Sequence, residues 1–289
     1  MKVIFPSDLE EVLRGRHGSS YRAELKAVSG GCINKTQRLL IENESYFFKS
    51  GPANKLEMFR GEERGLLELK QAKAFRIPKV ISCGVGEDQS WLLLEWLDMD
   101  AHFDMKKAGR LLALQHKVVG EGFGFSTSNH IGSTPQRNTF ESDWVTFYGQ
   151  HRMLALGRLG QNRGLRFNYL SDLIDRLPDF FGSRQVSASL LHGDLWSGNM
   201  SGLKEAGVTI YDPAVHYGDR ECDLAMTELF GGFSPSFYQS YHEAFPLDQG
   251  YELRKGLYQL YHIMNHALLF GGSYVNQSQR LIESLLRGI

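Results

Sequence analysis

Leu190-Leu191-His192-Gly193-Asp194-Leu195-Trp196-Ser197-Gly198-Asn199 sets a histidine two residues before an aspartate and an asparagine five residues after it, and Ile210-Tyr211-Asp212 follows a turn between Gly202 and Gly207. Turns rich in Asp, Asn and Gly commonly do no more than join two core strands. Here three polar positions stand beside apolar pairs, at the HxDxxxxN spacing that phosphoryl transfer uses. That reaction needs a carboxylate near the attacking hydroxyl to orient it and accept its proton. It also needs an amide oxygen and a second carboxylate to hold Mg²⁺ on the phosphates. Asp194, Asn199 and Asp212 fill these roles in order.

The same chemistry calls for a cation on the phosphates. Lys49 ends the aromatic run Tyr46-Phe47-Phe48 and can be pointed by that strand into a cleft. Its carboxylate partner is expected on the following helix. Glu62 lies three residues after Phe59 and four before Leu66, against the apolar stripe, where an unpaired charge is costly. Glu63, four after Phe59, satisfies the same geometry and stays open. Ser29-Gly30-Gly31-Cys32-Ile33-Asn34-Lys35-Thr36 occupies the position of a phosphate-covering loop without the GxGxxG pattern, and Gly30 and Gly31 are its candidate contacts. Trp91 to Leu97 leads out of the first part of the chain, so the backbone at Glu95 and Leu97 is the candidate adenine contact.

Further outward, short strands are expected at 21–27, 36–41, 45–49, 80–83 and 91–96, with one helix at 55–74 whose apolar residues keep helical spacing. Beyond Asp98 the pattern becomes helical, at 108–119, 143–157, 169–177 and 251–270. Strands followed by helices imply an α+β protein of two lobes. The expected division is 1–97, a small antiparallel-sheet lobe that binds nucleotide, and 98–289, a larger lobe for catalysis and the acceptor. At 289 residues, 42% hydrophobic and 22% charged, the chain can bury a sizeable core, which excludes global disorder. Thirty-two basic against 33 acidic residues leave a net charge of -1 and no field for nucleic acid. No run approaches the length of a bilayer span, no secretory leader is visible, and three cysteines without CxxC spacing fit neither a disulfide framework nor a zinc ribbon. A cytoplasmic protein with reduced thiols, not bound to membrane, is the expectation.

Taken together, LLHGDLWSGN at 190–199, YDPA at 211–214, YGDRECDLA at 217–225, FGGF at 230–233, IGSTPQRN at 131–138, DWVTFY at 143–148, LYQLYHIMN at 257–265 and SGGCIN at 29–34 resemble the fructosamine-3-kinase, or ketosamine kinase, family, over nearly the whole chain. That family belongs to the aminoglycoside phosphotransferase and choline kinase-like branch of the protein-kinase-like fold. The resemblance implies ATP- and Mg²⁺-dependent phosphorylation of a ketosamine on the third sugar carbon, the acceptor being a glycated amine, lysine or protein. After enolisation toward the first carbon, that phosphate becomes a good leaving group, and the amine is freed. By the same resemblance Asp194 is the base, Asn199 and Asp212 the magnesium ligands, Lys49 the phosphate contact and Glu62 its partner. A monomer or weak dimer is expected.

Two departures from protein kinases matter. Trp196 stands where they carry a lysine, and Asp212-Pro213-Ala214 replaces DFG, which disfavours a regulated protein kinase. Trp196 can stack on a sugar or simply pack. Asp219, among the acidic residues that follow Asp212, and Asn265, on the last long apolar stretch, are further acceptor candidates; Asp219 and Asp223 equally suit bracing the catalytic loop. Cys32, inside the presumed phosphate loop, is a redox candidate. Rival readings are a kinase for an aminoglycoside or a choline-like amine, a catalytically silent nucleotide-binding regulator, and a binuclear metal hydrolase built on His192, His216 and the neighbouring carboxylates.

Overall fold

Strand periodicity decides which way Lys49 points. The computed structural model describes residues 5–28, 34–205 and 207–289. In its first part, helix α1 (Ser7–His17) precedes strands β1 (Ala23–Ala27), β2 (Lys35–Ile41) and β3 (Glu44–Pro52), helix α2 (Leu56–Gln71), and strands β4 (Val80–Val85) and β5 (Gln89–Glu95). The five strands form one antiparallel sheet in the order β1-β2-β3-β5-β4, with Lys49 opposite Thr36 on one side and Leu92 on the other. Alternate residues take opposite faces. Tyr46, Phe48, Trp91 and Leu93 pack beneath α1, through Leu9 and Leu13. Phe47, Leu92 and Leu94 share the other face, toward α2, and Lys49 lies in step with them.

Past β5, residues 96–98 are irregular and lead to strand β6 (Met99–Asp100) and helix α3 (Met105–His116). A hairpin of β7 (Asn129–Ile131) and β8 (Thr134–Gln136) follows. Helix α4 (Trp144–Phe147) runs through a π-helical stretch, Tyr148–Leu154, into α5 (Ala155–Asn162). Then come α6 (Leu170–Asp175), α7 (Leu177–Phe181), β9 (Ser189–Leu191), β10 (Met200–Leu203), β11 (Gly207–Ile210), β12 (His216–Gly218), α8 (Glu221–Leu229), α9 (Pro235–Ala244), α10 (Tyr251–Phe270) and α11 (Ser273–Arg287). Side chains start two of these helices: Asp104 accepts from the Lys107 amide at 3.0 Å and Asp143 from the Thr146 amide at 2.7 Å. Gly250 opens α10 in the left-handed region, which suits glycine.

The expected strands and the first helix are present with shifts of a few residues at their ends. The stretch expected as one helix at 143–157 changes hydrogen-bond pattern midway, and 169–177 divides into α6 and the start of α7. The stretch from His192 to Asn199 lies between β9 and β10. Two short ladders hold its flanks: β9 pairs with β12, and β10 lies between β6 and β11. No helix among the described residues is long and apolar enough to cross a membrane.

Candidate active site

A glycine is required where the stretch from His192 to Asn199 turns. Gly193 has φ +82°, and a Cβ there would lie 2.1 Å from the Ala214 carbonyl oxygen. His192, fully buried, places Nε2 3.0 Å from the Tyr211 carbonyl and Nδ1 3.3 Å from the Asp194 amide. One neutral tautomer, protonated on Nε2, serves both contacts, and burial accordingly lowers the His192 pKa. The turn is braced from behind by Asp223, whose carboxylate accepts from the amides of His192 at 2.7 Å and Gly193 at 2.9 Å. His116 Nε2 lies 3.2 Å from the same group.

Asp194 is partly accessible at the end of this turn. The burial of its surroundings, reinforced by the nearby Asp212 and Asp223 charges, pushes its pKa up to about 7. Asn199 donates Nδ2 to the Asp194 carbonyl oxygen at 2.8 Å, which commits the nitrogen and leaves Oδ1 as the atom that could meet a cation. The segment carrying Asp212 is tied to the same turn: the Tyr211 amide donates to the Asn199 carbonyl at 3.1 Å and the Ala214 amide to the His192 carbonyl at 2.8 Å. Asp212 itself has φ +57°. For a residue other than glycine such a conformation costs about 1 to 3 kcal/mol and persists only where its surroundings impose it.

Lys49, 4% exposed, hydrogen-bonds the Glu62 carboxylate at 2.6 Å and also the Asp212 carboxylate. Burial opposes its charge, but Asp212 and Glu62 together outweigh that effect and raise the pKa of the ammonium. Of the two glutamates left open by periodicity, Glu62 takes the lysine. Asn199 Oδ1 and the Asp212 carboxylate are hard oxygen donors of the kind Mg²⁺ prefers. These residues fit a divalent cation. Among the described residues no three His, Cys, Asp or Glu side chains converge on a metal position, so Asn199 and Asp212 would need phosphate oxygens and water to complete such a set.

The remaining candidates divide. Trp196 is 39% exposed, its ring over Gly198 and edge-on to Phe230 at 6.5 Å, which leads through His266 at 5.0 Å to an aromatic wall. Asn265 is buried beside His266, and its Oδ1 has no protein partner. Leu97 lies in the irregular 96–98 segment, whereas the Glu95 amide already donates to the Lys79 carbonyl at 2.8 Å and its carboxylate holds Arg76. For Glu95 the backbone N–H is therefore withdrawn as a nucleotide contact. Asp219 is corrected as an acceptor residue: it is fully buried, ion-paired with Arg184, and accepts from the Tyr258 hydroxyl at 2.6 Å and the Glu221 amide at 3.1 Å. With Glu221 held by Arg254 at 2.7 Å and Asp223 by the amides of the His192–Gly193 turn, the acidic cluster is structural. Gly30, Gly31 and Cys32 lie outside the described residues.

The model of the family described as fructosamine kinase matches residues 7–288. The chain belongs to the fructosamine kinase family. Among its relatives in this family, "Probable ketoamine kinase" of Synechocystis is 41% identical over 267 residues, covering 91% of this chain and 90% of that one. The chloroplastic protein-ribulosamine 3-kinase of Arabidopsis thaliana is 36% identical over 271 residues, covering 91% and 83%. A solved structure of the family from Haemophilus somnus superimposes with a TM-score of 0.90 at 28% identity, over 96% of each chain. Choline kinase LicA from Streptococcus pneumoniae shares the protein-kinase-like fold at 17% identity and a TM-score of 0.60, over 97% of this chain and all of that one. For a fructosamine-kinase-family chain, the polar β7–β8 hairpin is the part that residue-by-residue reading did not place, whereas Asp223 braces the turn as one of its two expected roles. IGSTPQRN shows in the sequence only as a pattern.

Proposed function

We propose that the protein is an ATP-dependent kinase that phosphorylates the hydroxyl on the third sugar carbon of a ketosamine, a glycated lysine or protein, and so initiates deglycation. It acts in the cytoplasm as a monomer or weak dimer. What carries this reading is the convergence of Lys49, Glu62 and Asp212 in one ion-paired group, tied by backbone hydrogen bonds to the turn bearing Asp194 and Asn199. In this reading Lys49 binds the α and β phosphates and Glu62 orients it. Asp194 holds the acceptor hydroxyl and takes its proton, a task for which a carboxyl with a pKa near neutrality is suited. Asn199 and Asp212 would hold Mg²⁺, which when bound neutralises phosphate charge. In the same reading the backbone at Leu97 would contact the adenine, exposed Trp196 would offer a flat apolar face to the sugar, and Asn265 would be a further acceptor contact. The name of the Arabidopsis relative supports ribulosamine as acceptor.

The test is ATP consumption with Mg²⁺ across ribulosyl-lysine, fructosyl-lysine, an aminoglycoside and choline, with mass spectrometry of the product. The expected result is phosphate on the third carbon of a ketosamine, followed by release of free lysine. In Asp194→Asn, kcat should fall by about 10² to 10⁴ with nucleotide affinity kept. Turnover of choline or the aminoglycoside alone would remove the ketosamine, and nucleotide binding without any transfer would favour a silent regulator.

A further inference from the structure

Asp212 lies in the left-handed region and must be held there by its surroundings. The hairpin that packs behind it presents a row of buried amides. Asn129 Nδ2 donates to the Val215 carbonyl at 2.8 Å, and Gln136 Nε2 donates to the Ala214 carbonyl at 3.1 Å. These are the first two carbonyls after Pro213. Gln136 Nε2, at 2.9 Å, and Asn138 Nδ2, at 3.0 Å, both donate to Asn129 Oδ1. Arg152 closes the row, donating Nη2 to Asn138 Oδ1 at 2.8 Å and Nη1 to the Arg137 carbonyl at 2.6 Å. An arginine can only donate. Its position therefore fixes the direction of every amide from Arg152 through Asn138 and Asn129 to Val215, and the Tyr261 hydroxyl fixes Gln136 by donating to Oε1 at 2.8 Å. All four side chains of the row are at most 2% exposed, so water does not compete for these bonds.

The same hairpin touches the helix that carries Glu62. A Cβ at Gly61 would lie 3.0 Å from Asn129 Cβ, and one at Gly65 would lie 3.1 Å from Val215 and 3.3 Å from Pro213. Two glycines one turn apart let α2 rest directly on both the hairpin and the segment after Asp212. Glu62, Lys49 and Asp212 are thus referred to one support.

We propose that Asn129, Gln136, Asn138 and Arg152 form a positioning clamp that sets Asp212 and α2 in register, so that the lysine pair and the phosphate-side carboxylate are assembled before any ligand arrives. None of the four is a catalytic residue. The proposal rests on the reading of Asp212 as the cation and phosphate ligand. Outer partners of ligating groups typically change metal affinity or activity by about 10- to 100-fold when removed.

The experiment uses Gln136→Met, which keeps length and packing but loses both donated bonds, and Gly61→Ala, which adds one methyl between α2 and Asn129 and favours the helix itself. Binding of AMP-PNP with and without Mn²⁺ is followed by calorimetry, alongside kcat and acceptor KM. For Gln136→Met we expect Mn²⁺-dependent AMP-PNP affinity and kcat each to fall by about 10-fold or more, with metal-free nucleotide affinity and acceptor KM within about twofold. Gly61→Ala should lose about threefold or more in the same two quantities without a lower Tm, and it carries the test alone if Gln136→Met does not fold. Parental kcat and Mn²⁺-dependent affinity in the folded variants would overturn the clamp while leaving the site reading intact. A parent protein that binds AMP-PNP equally well with and without Mn²⁺ would overturn the role of Asp212, and the clamp with it.

Discussion

Lys49 is a long cation held almost out of water between two carboxylates, and its loss has consequences beyond missing phosphate contact. Its side chain is 5% exposed and that of Glu62 11%, so removing the ammonium leaves Glu62 buried without a counter-charge. Breaking such a pair from one side is expensive even where the intact pair adds little net stability. Lys49→Met should therefore lower unfolding free energy by about 3 kcal/mol, and Lys49→Met/Glu62→Gln should recover about half of it, because a neutral amide tolerates the site. Urea denaturation of the two variants measures this. A double variant no more stable than the single one would mean that Glu62 is not the group left unpaired. The residues proposed for catalysis stand out as types at fixed spacing, since Asp194, Asn199 and Asp212 lie within nineteen positions of one another. The choice between Glu62 and Glu63 was not readable, because both flank the apolar stripe of a helix and only the direction of the Lys49 side chain separates them.

Elements with a single periodic face were legible, and those defined by partners were not. The span of α10 was expected at 251–270, where apolar residues and Gly271 mark its course and end, and the five-strand sheet was expected from turns and alternation. Helix α1 was missed because its fit depends on the outer sheet face, through Leu9 and Leu13, more than on any cap. The strands of the β7–β8 hairpin are three residues each and owe their place to buried amides, a signal that local hydropathy does not carry. Asp219 is the instructive case. Its composition suggests an acceptor contact, yet it joins three elements: Arg184 after α7, the first amide of α8, and Tyr258 on α10. Asp219→Ala would leave a buried hydroxyl and one side of a guanidinium unpaired. A loss of about 3 kcal/mol in stability is expected, with acceptor KM unchanged in the folded fraction. A raised KM with unaltered denaturation midpoint would restore Asp219 to the acceptor site.

At the scale of the whole molecule, the division at residue 97 describes chain order better than it describes cohesion. One apolar cluster contains Phe59, Leu66, Leu92 and Leu94 from the first part and Leu112, Leu195, Val208 and Phe237 from the second. A backbone bond crosses the same boundary, from the Arg76 amide to the Val208 carbonyl at 3.0 Å, and the Tyr217 hydroxyl reaches Glu68 at 2.7 Å. A sheet lobe that shares its core in this way cannot melt without exposing the apolar surface of the other part. Chains of this length often unfold in stages, but a continuous core argues for one cooperative step. Scanning calorimetry should give a single transition whose van't Hoff and calorimetric enthalpies agree, and residues 1–97 alone should not fold. Because the proposed nucleotide site draws on both parts, AMP-PNP with Mg²⁺ at 100 times Kd should shift that whole transition, by about 2.7 kcal/mol of added stability. Two resolved transitions, of which ligand moves only one, would mean that the parts are separable domains and that the shared cluster is a contact between them.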